Sequence, residues 1–365
     1  MKKIKVAIFF GGRSAEHEIS LLSAVNVIKA IDKLKYGVVP VGIDKDGSFF
    51  AYNIKKEFIL NPDSPKKICL AKSGEAVTFG FGKSRELIGI KNKKLKIKID
   101  VVFPVLHGTY GEDGTMQGLL KIVDVPFVGA GVLSSAVCMD KDVAKRLLLI
   151  AGLPVAEFLT FDVSNKEEIN FEKISKKLGL PFFIKPANAG SSVGVSKIKN
   201  KQSLARLVRK AFQYDNKVLF ERTIIGKEIE CSVFGNEQAV ASLPGRVLPK
   251  REFYSYEAKY LDDDGAVFEI PAKLPLSVVK MIRQTAVRAY QALGCEGLAR
   301  VDGFLTKENK FIINELNTIP GFTAISMYPK LWAVSGVKYS KLIDKLIQLA
   351  IKRWQRDNKI KTVYI

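Results

Sequence analysis

Apolar, strand-like runs alternate with helix-like segments through the N-terminal part of this 365-residue chain. The strand-like runs cover 5–10, 38–43 and 101–106, helix-like segments cover 21–31 and the residues after Gly114, and Gly11-Gly12 makes the first turn. This alternation predicts a doubly wound parallel sheet, in which a binding site lies at the carboxyl ends of the strands. Residues 51–100 break the alternation with short strand-like pieces and lysines, and we interpret them as an insertion.

The rest of the chain divides into two further α/β units. A stretch of small residues at 129–135 marks the first boundary. The next unit has helix-like segments at 141–152 and 202–214 and a strand-like run at 218–221; the last has strand-like runs at 228–234 and 238–243, a polar loop at 249–265 and helices at 277–293 and 339–354. We therefore expect three domains, at 1–129, 130–225 and 226–365.

Basic residues outnumber acidic ones, 58 Lys and Arg against 37 Asp and Glu, which gives a formal net charge of +21. Such an excess is typical of proteins that bind nucleic acid, and a basic nucleic-acid-binding protein is one alternative interpretation. The lysines are spread over every segment, however, and aromatic residues are not interleaved with the one dense run at 91–98. A solvated, lysine-rich surface that attracts a polyanion such as ATP explains the pattern better, so we expect no nucleic-acid partner.

No apolar run approaches the length that crosses a membrane, and the first one is too short for the apolar core of a secretory signal. The four cysteines, Cys69, Cys138, Cys231 and Cys295, are far apart in apolar surroundings without the spacing of a metal site. Hence we expect reduced core cysteines and a cytoplasmic protein with no membrane partner.

Two strand-like runs near the C-terminus place acidic and amide side chains on one face. Polar and apolar residues alternate in 298–305 and in 311–317, so neighbouring strands aim Asp302, Glu315 and Asn317 at one point. Oxygen ligands in this number suit Mg²⁺ that bridges nucleotide phosphates. Taken alone, the same pattern is also typical of two surface strands with polar outer faces.

A glycine- and serine-rich loop, 188–195, follows a short strand that bears Lys185. Small residues let backbone N–H groups close over phosphate oxygens, and the lysine supplies a positive charge. The spacing of a Walker loop is absent, and a plain β-hairpin is the alternative. Glu221, at a strand end, offers the acceptor that an adenine amino group needs, and Lys141 begins a helix; either residue alone is more typical of a surface position.

The segment 11–20 places an acidic cluster at a strand-to-helix turn. Glu18 and Ser20 can cap the helix, and His17 can be a simple helix-start residue. Glu16 is free to hold a substrate ammonium.

A second loop at a strand end, 106–114, holds His107, one of two histidines in the chain. Its position favours a functional role. The turn alone explains the glycines of this loop equally well.

Together these segments resemble the D-alanine–D-alanine ligase family of the ATP-grasp superfamily over nearly the whole chain. The runs that carry the resemblance are 11–20, 106–118, 139–141, 185–194, 256–260 and 314–323. The resemblance implies a three-domain α/β ATP-grasp architecture with ATP between the second and third domains. It also implies a cytoplasmic, homodimeric ligase that uses two Mg²⁺ ions, or Mn²⁺ in their place.

The same resemblance implies a two-step reaction for peptidoglycan precursor synthesis. One D-alanine carboxylate attacks the γ-phosphate of ATP, and the amine of a second D-alanine then attacks the acylphosphate and releases phosphate. The loop 249–265 is similar to the family's closing lid, which excludes water from the acylphosphate. D-lactate or D-serine as second substrate is the alternative within the family, although retention of Tyr260 in the run 256–260 favours an amine.

The resemblance assigns roles to individual residues. For the amino acids these are Glu16 on the first ammonium, oriented through Ser191 and Tyr260; Arg300 and the Gly321 N–H on the oxyanion; Lys259 and Ser326 on the second carboxylate; and His107 and Met327 in contact with substrate. For ATP they are Lys141 and Lys185 on the phosphates, with Phe183, Ser191, Ser192, Glu221, Thr223, Ile224, Glu228, Asn314 and Glu315 completing the site. Asp302, Glu315 and Asn317 are expected to carry the two Mg²⁺ ions.

Overall fold

The computed structural model describes residues 3–62, 64, 66–80, 82–249, 266–323 and 326–361. Three larger sheets, each covered by helices, form this part of the molecule. No helix within these ranges is both long and apolar enough to pass through a bilayer.

The N-terminal unit is built on a seven-stranded sheet. Its elements are β1 (Ile4–Gly11), α1 (His17–Ala30), β2 (Tyr36–Ile43), β3 (Phe49–Ala51), β4 (Ile59–Leu60), β5 (Cys69–Leu70), β6 (Glu75–Phe79), β7 (Glu86–Gly89), β8 (Lys96–Lys98), β9 (Val101–Pro104) and α2 (Thr115–Ile122); α3 (Val132–Met139) follows in the link to the next unit. Strand β1 pairs in parallel with β2 and β9, which confirms the parallel core. The segment 51–100, with β3 before it, adds antiparallel strands that widen the same sheet in the order β8-β7-β6-β3-β2-β1-β9.

The turn after β1 requires glycine. Gly11 has φ +91°, and a Cβ at this position would lie 2.2 Å from the carbonyl oxygen of Ile43. The hydroxyl of Ser20 closes the same turn, because it accepts the Gly11 N–H at 2.8 Å and donates to the Val105 carbonyl at 2.5 Å. The loop that carries Glu16 is thereby anchored to two strands of the sheet.

Helix α1 begins earlier than the predicted 21–31, at His17, with Glu16 in the cap position but without a side-chain capping bond. Glu18 forms an ion pair with Lys45 at 2.7 Å instead of capping the helix. The ring Nδ1 of His17 lies 2.9 Å from the Gly12 carbonyl oxygen. The prediction that Glu18 or Ser20 caps this helix is therefore wrong, because each side chain has another partner.

The central unit contains α4 (Lys141–Ile150), β10 (Phe158–Asp162), α5 (Phe171–Leu178), β11 (Phe182–Pro186), β12 (Ser196–Ile198), α6 (Lys201–Ala211) and β13 (Lys217–Arg222). Its four strands are antiparallel in the order β10-β13-β11-β12. Phe182 and Phe220 meet edge to face at 5.9 Å between ring centroids and pack with Ile174 and Leu207 from the helices. These strands therefore have a core made of residues from their own unit.

The C-terminal unit contains β14 (Lys227–Gly235), β15 (Val240–Ala241), β16 (Gly245–Pro249), β17 (Ala266–Glu269), α7 (Leu276–Ala292), β18 (Gly297–Leu305), β19 (Phe311–Asn317), α8 (Met327–Val334) and α9 (Tyr339–Asp357). The sheet order is β17-β16-β14-β18-β19, with β15 paired to β14. Helix α7 packs on the apolar face of this sheet through Ile282 and Ala286. The opposite face is left for the polar residues of β14, β18 and β19.

The two ends of the chain share one apolar core. Phe103 of the first sheet packs in the same cluster as Leu346 of α9, and both are at most 1% exposed. The buried Arg353 guanidinium, also on α9, donates to the carbonyl oxygens of Phe127 at 2.8 Å and of Gly129 at 2.6 Å. The last helix therefore fixes the N-terminal unit to the C-terminal one.

The cysteines only partly follow the expectation of reduced core residues. Cys138, Cys231 and Cys295 are buried free thiols, and the sulfur atoms of Cys138 and Cys295 lie 3.5 Å apart. Cys69 is exposed, because it lies in the short β4–β5 hairpin of the 51–100 segment.

Candidate active site

A cleft of about 530 Å³ lies between the central sheet and the C-terminal sheet. Its lining includes Lys141, Phe183, Lys185, Ser192, Glu221, Thr223, Ile224, Glu228, Asn314 and Glu315, all expected at the nucleotide, together with Arg300 and Asp302. The fold thus brings together residues from three separate parts of the sequence.

Strand register explains why the charged residues of the central sheet face this cleft. Phe183 on β11 lies opposite Glu221 on β13, and Lys185 lies two positions further along the same face. The intervening Ile184 and Phe220 point to the helices and are fully buried. The two-residue period of a strand therefore separates an apolar core face from a polar cleft face.

Glu221 is held between two lysines. Lys185 Nζ donates to its Oε1 at 2.5 Å and to Asn314 Oδ1 at 3.0 Å, and Lys145 Nζ lies 2.6 Å from its Oε2. Burial raises the pKa of Glu221, but the charges of Lys145 and Lys185 outweigh burial and lower the pKa to about 2. The cleft therefore contains a carboxylate that stays charged at neutral pH.

Strands β18 and β19 place two carboxylates side by side. Asp302 lies opposite Glu315 and Arg300 opposite Asn317 in their register. Arg300 binds Asp302 through Nε and Nη2, both at 2.7 Å, and its Nε lies 3.0 Å from the buried Glu230 carboxylate. Asn317 Nδ2 donates to Asp302 at 2.8 Å. Because the carboxylates of Asp302 and Glu230 both bind its guanidinium, the Arg300 side chain is held in one orientation in the cleft.

The acidic pair fits a magnesium ion that takes its remaining ligands from phosphate and water. Within the described ranges, no group of three or more His, Cys, Asp or Glu side chains is placed to hold a metal. Asp302 and Glu315 supply hard oxygen donors, the Asn317 amide adds a third, and such partial ligand sets suit Mg²⁺ on a nucleotide. Lys141 places a positive charge beside this pair, since its Nζ lies 3.4 Å from Glu315 Oε2.

The loop after β11 reaches the N-terminal unit at Glu16. Ser191 Oγ donates a hydrogen bond to Glu16 Oε1, and Ser191 and Ser192 both adopt left-handed backbone, with φ +50° and +62°. On the other side of the carboxylate, a Cβ at Gly108 would lie 2.9 Å from Glu16 Oε2. Glu16 is only 7% exposed. Its carboxylate therefore lies between the loop that carries Ser191 and the loop that carries Gly108.

Glu112 joins the loop 106–114 to the segment after β19. Its Oε2 accepts the Gly108 N–H at 2.7 Å, and its Oε1 accepts the Ile319 N–H at 3.2 Å. Burial, and then the charge of Glu16, raise the pKa of Glu112 to about 8. This carboxyl group therefore sets the position of the loops around Glu16.

His107 is buried and supports the same segment. Its Nδ1 lies 2.9 Å from the Ile319 carbonyl oxygen, which can only accept, so Nδ1 carries the proton. Nε2 then accepts from Ser23 Oγ at 3.0 Å. Burial lowers the pKa of His107, which keeps the ring neutral. Both ring nitrogens therefore have partners within the protein, and the contact of His107 with substrate stays a prediction.

The segment after β19 brings Gly321 next to Ser326. A Cβ at Gly321 would lie 2.7 Å from Ser326 Oγ, which accepts the Thr323 N–H at 3.0 Å. Met327 begins α8, and its side chain is buried against Leu331. The contact of Met327 with substrate stays a prediction.

Other expected residues lie at the rim of the cleft. Thr223 donates its hydroxyl to the Pro181 carbonyl at 2.6 Å, so this side chain has a partner within the protein. Ile224 and Glu228 line the cleft beside it. Lys259 and Tyr260 lie outside the described residues, as does the predicted loop 249–265 apart from Pro249, which ends β16.

Sequence reasoning missed three functional candidates. Glu112 was inside the run 106–118 but received no role, and Glu230 carries no motif. Lys145 had a usable signal, since it follows Lys141 by one helical turn on α4 and lies on the same face.

Two family models match the chain. The D-ala D-ala ligase N-terminus model matches residues 5–130, and the D-ala D-ala ligase C-terminus model matches residues 147–348. A D-alanine–D-alanine ligase from Oceanobacillus iheyensis is 53% identical over 363 residues, which is 99% of this chain and 99% of that relative.

Two solved structures share the whole fold. The VanG D-Ala:D-Ser ligase from Enterococcus faecalis has a TM-score of 0.84 and 36% identity, covering 96% of this chain and 100% of the other. A D-alanine–D-alanine ligase from Bacillus anthracis complexed with ATP has a TM-score of 0.73 and 28% identity, covering 98% and 100%. Full-length similarity and the cleft geometry agree, so the chain belongs to the D-alanine–D-alanine ligase family and has its ATP-grasp architecture.

Proposed function

We propose that this chain joins two D-alanine molecules into D-alanyl-D-alanine for peptidoglycan precursor synthesis, with conversion of ATP to ADP and phosphate. The carboxylate of the first D-alanine attacks the γ-phosphate, and the amine of the second attacks the acylphosphate carbonyl, so that phosphate leaves. The reaction needs a nucleotide site, an acceptor for an ammonium and fixed positive charge at the reacting carboxylate.

ATP occupies the cleft between the central and C-terminal sheets in this proposal. Lys141 and Lys185 bind the phosphates, and Glu221 accepts from the adenine amino group. Phe183, Ser192, Thr223, Ile224, Glu228 and Asn314 complete the nucleotide site. Two observations support this placement. These residues line one cleft, and Lys185 Nζ has two partners in it, Glu221 and Asn314, either of which a phosphate oxygen can replace.

Glu16 binds the ammonium of the first D-alanine, and Ser191 orients the carboxylate for this role. Arg300 and the N–H of Gly321 stabilise the oxyanion of the tetrahedral intermediate. Ser326 binds the carboxylate of the second D-alanine, with Lys259 as its partner from outside the described ranges. The fixed direction of Arg300 between Asp302 and Glu230 supports this arrangement.

Asp302, Glu315 and Asn317 hold two Mg²⁺ ions, which Mn²⁺ can replace. When bound, these ions neutralise charge on the phosphoryl oxygens. The chain's own part is to keep the ligands oriented, and Arg300 and Asn317 do this for Asp302.

The observation that carries the proposal is the Ser191–Glu16 hydrogen bond, because it joins the proposed phosphate loop to the proposed ammonium acceptor across two units. The test is ADP release from ATP in the presence of D-alanine, with the product identified by mass spectrometry. We expect dipeptide and ADP in equal amounts with D-alanine and no dipeptide with L-alanine. ADP release without any dipeptide would contradict the proposal.

D-serine or D-lactate as second substrate is the second candidate, and the similarity to the VanG D-Ala:D-Ser ligase favours testing it. Mixtures of D-alanine with each competitor, analysed by mass spectrometry, separate these activities. We expect D-alanine to be preferred over D-lactate, since retention of Tyr260 in the run 256–260 favours an amine as second substrate.

We also propose a cytoplasmic homodimer with domains at 1–129, 130–225 and 226–365, with ATP between the second and third. The resemblance to the family supports these assignments. Sedimentation equilibrium measures the oligomeric state, and a mass of one chain would contradict the dimer.

A further inference from the structure

Lys145 lies behind the cleft, in the interior between α4 and β13. Its side chain is 1% exposed, and it is not part of the cleft lining, whereas Glu221 and Lys185 are. The Phe158 ring covers it at 5.8 Å from Nζ. Lys145 therefore cannot reach a nucleotide and can act on one only through Glu221.

The helix that carries Lys145 is firmly placed. Asp140 caps α4, because its Oδ1 accepts the N–H groups of Asp142 at 3.0 Å and Val143 at 3.1 Å. The Nζ of Lys145 is then held 2.6 Å from Glu221 Oε2. An ion pair with so little exposure is not screened by solvent, so it stabilises the ionised carboxylate and keeps Oε2 on the side of α4.

The two lysines on Glu221 differ in what they can do next. Lys185 faces the cleft and has a second partner in Asn314, so a triphosphate can draw it away from Glu221. Lys145 has no path to the cleft. Among the described residues, Lys145 and Lys185 form ion pairs with Glu221. When Lys185 binds a phosphate instead, Lys145 remains paired with Glu221.

We propose that Lys145 is a positioning residue for purine selection: it keeps Glu221 ionised and aimed at the base, so that the site accepts a 6-amino purine and rejects a 6-oxo purine. This inference rests on the proposed placement of the nucleotide in the cleft. An ionised carboxylate only accepts hydrogen bonds, so it attracts an amino group and repels a carbonyl oxygen. Without Lys145, a buried Glu221 can take up a proton and then donate to a 6-oxo group, which removes the discrimination.

The test compares the binding of ADP and inosine diphosphate by isothermal titration calorimetry, which needs no turnover. In the wild-type protein ADP binds more tightly, and in Lys145→Met the ratio of the two dissociation constants falls by roughly tenfold or more, as expected for a hydrogen bond to a charged group. Arg146→Met is the matched control, because Arg146 is on the same helix but pairs with Asp142. An unchanged ratio, or an equal loss of affinity for both nucleotides, would overturn the inference.

A double-mutant cycle tests whether Lys145 acts through Glu221. In a Glu221→Gln background, Lys145→Met should change the ratio by less than about twofold. A full effect in that background would also overturn the proposal. If Lys145→Met does not fold, Lys145→Gln replaces it in both measurements, because it keeps a hydrogen-bond donor and removes the charge.

The outcomes also separate this inference from the proposed function. If ADP binds with the predicted selectivity but no dipeptide forms, the proposed ligase activity is contradicted and the proposed purine selection is still supported. If the wild-type protein makes the dipeptide but Lys145→Met leaves the ratio of the two dissociation constants unchanged, only the role of Lys145 is contradicted.

Discussion

The hydroxyl of Ser191 donates a hydrogen bond to the carboxylate of Glu16, which lies 175 positions earlier in the chain. The bond spans two structural units, since Ser191 follows β11 of the central sheet and Glu16 precedes α1. The loop proposed to cover phosphate is thereby tied to the residue proposed to hold the substrate ammonium.

Ser191→Ala should weaken D-alanine binding more than nucleotide binding. Loss of a hydrogen bond to a charged group predicts a KM for D-alanine about tenfold higher, with an ADP dissociation constant within about twofold of the wild type. Steady-state kinetics and calorimetry measure the two quantities. Ser203→Ala, in the exposed first turn of α6, is the control. Equal losses for D-alanine and ADP would contradict the assignment.

Glu315→Ala should lower turnover by at least about a hundredfold, because a metal ligand that stabilises phosphoryl charge is lost. A second measurement is the gain in ADP affinity on addition of Mg²⁺, which we expect to shrink in the variant. Glu308→Ala, a fully exposed acidic residue before β19, should leave both quantities unchanged. Turnover near the wild-type level would remove Glu315 from the metal site.

His107→Gln should reduce the pH dependence of stability. Burial lowers the pKa of His107 in the folded state, so the unfolded chain binds more protons as the pH falls below about 6.5. The contribution of this group to stability is thus complete above that pH and is lost below it, by up to about 1.4 kcal/mol per pH unit. Urea unfolding at pH 7.5 and pH 5.5 measures the effect. Parallel losses in wild type and variant would show that His107 does not titrate on unfolding.

Arg353→Met should lower the free energy of unfolding by about 2–4 kcal/mol, because two buried carbonyl groups lose a charged donor. The carbonyl groups belong to Phe127 and Gly129, in the link between the first two sheets. Lys352→Met, at the exposed neighbouring position, is the control for the change in charge. Urea unfolding midpoints provide the measurement, and equal midpoints for the two variants would contradict this role of Arg353.

Much of the polar face of the site could be predicted from periodicity. The alternation in 298–305 and 311–317 placed Asp302 and Glu315 on one face, and β18 and β19 bring the two residues opposite each other. The predicted bounds of both strands also agree closely with the observed ones, since a period of two residues is a strong local signal.

Long-range partners could not be predicted in the same way. Glu112 reaches Ile319, and Lys145 reaches Glu221, through contacts that depend on how separate sheets pack. His107 looked functional because histidine is rare in this chain, but only the neighbours of its ring nitrogens show that it supports a loop. Sequence spacing carries no information about such packing.

The core shared by the first sheet and α9 has a consequence for synthesis of the protein. Phe103 and its neighbours are synthesised long before Leu346, which packs in their cluster. The nascent sheet therefore exposes an apolar surface until α9 has been synthesised, and during that interval chaperones can bind it.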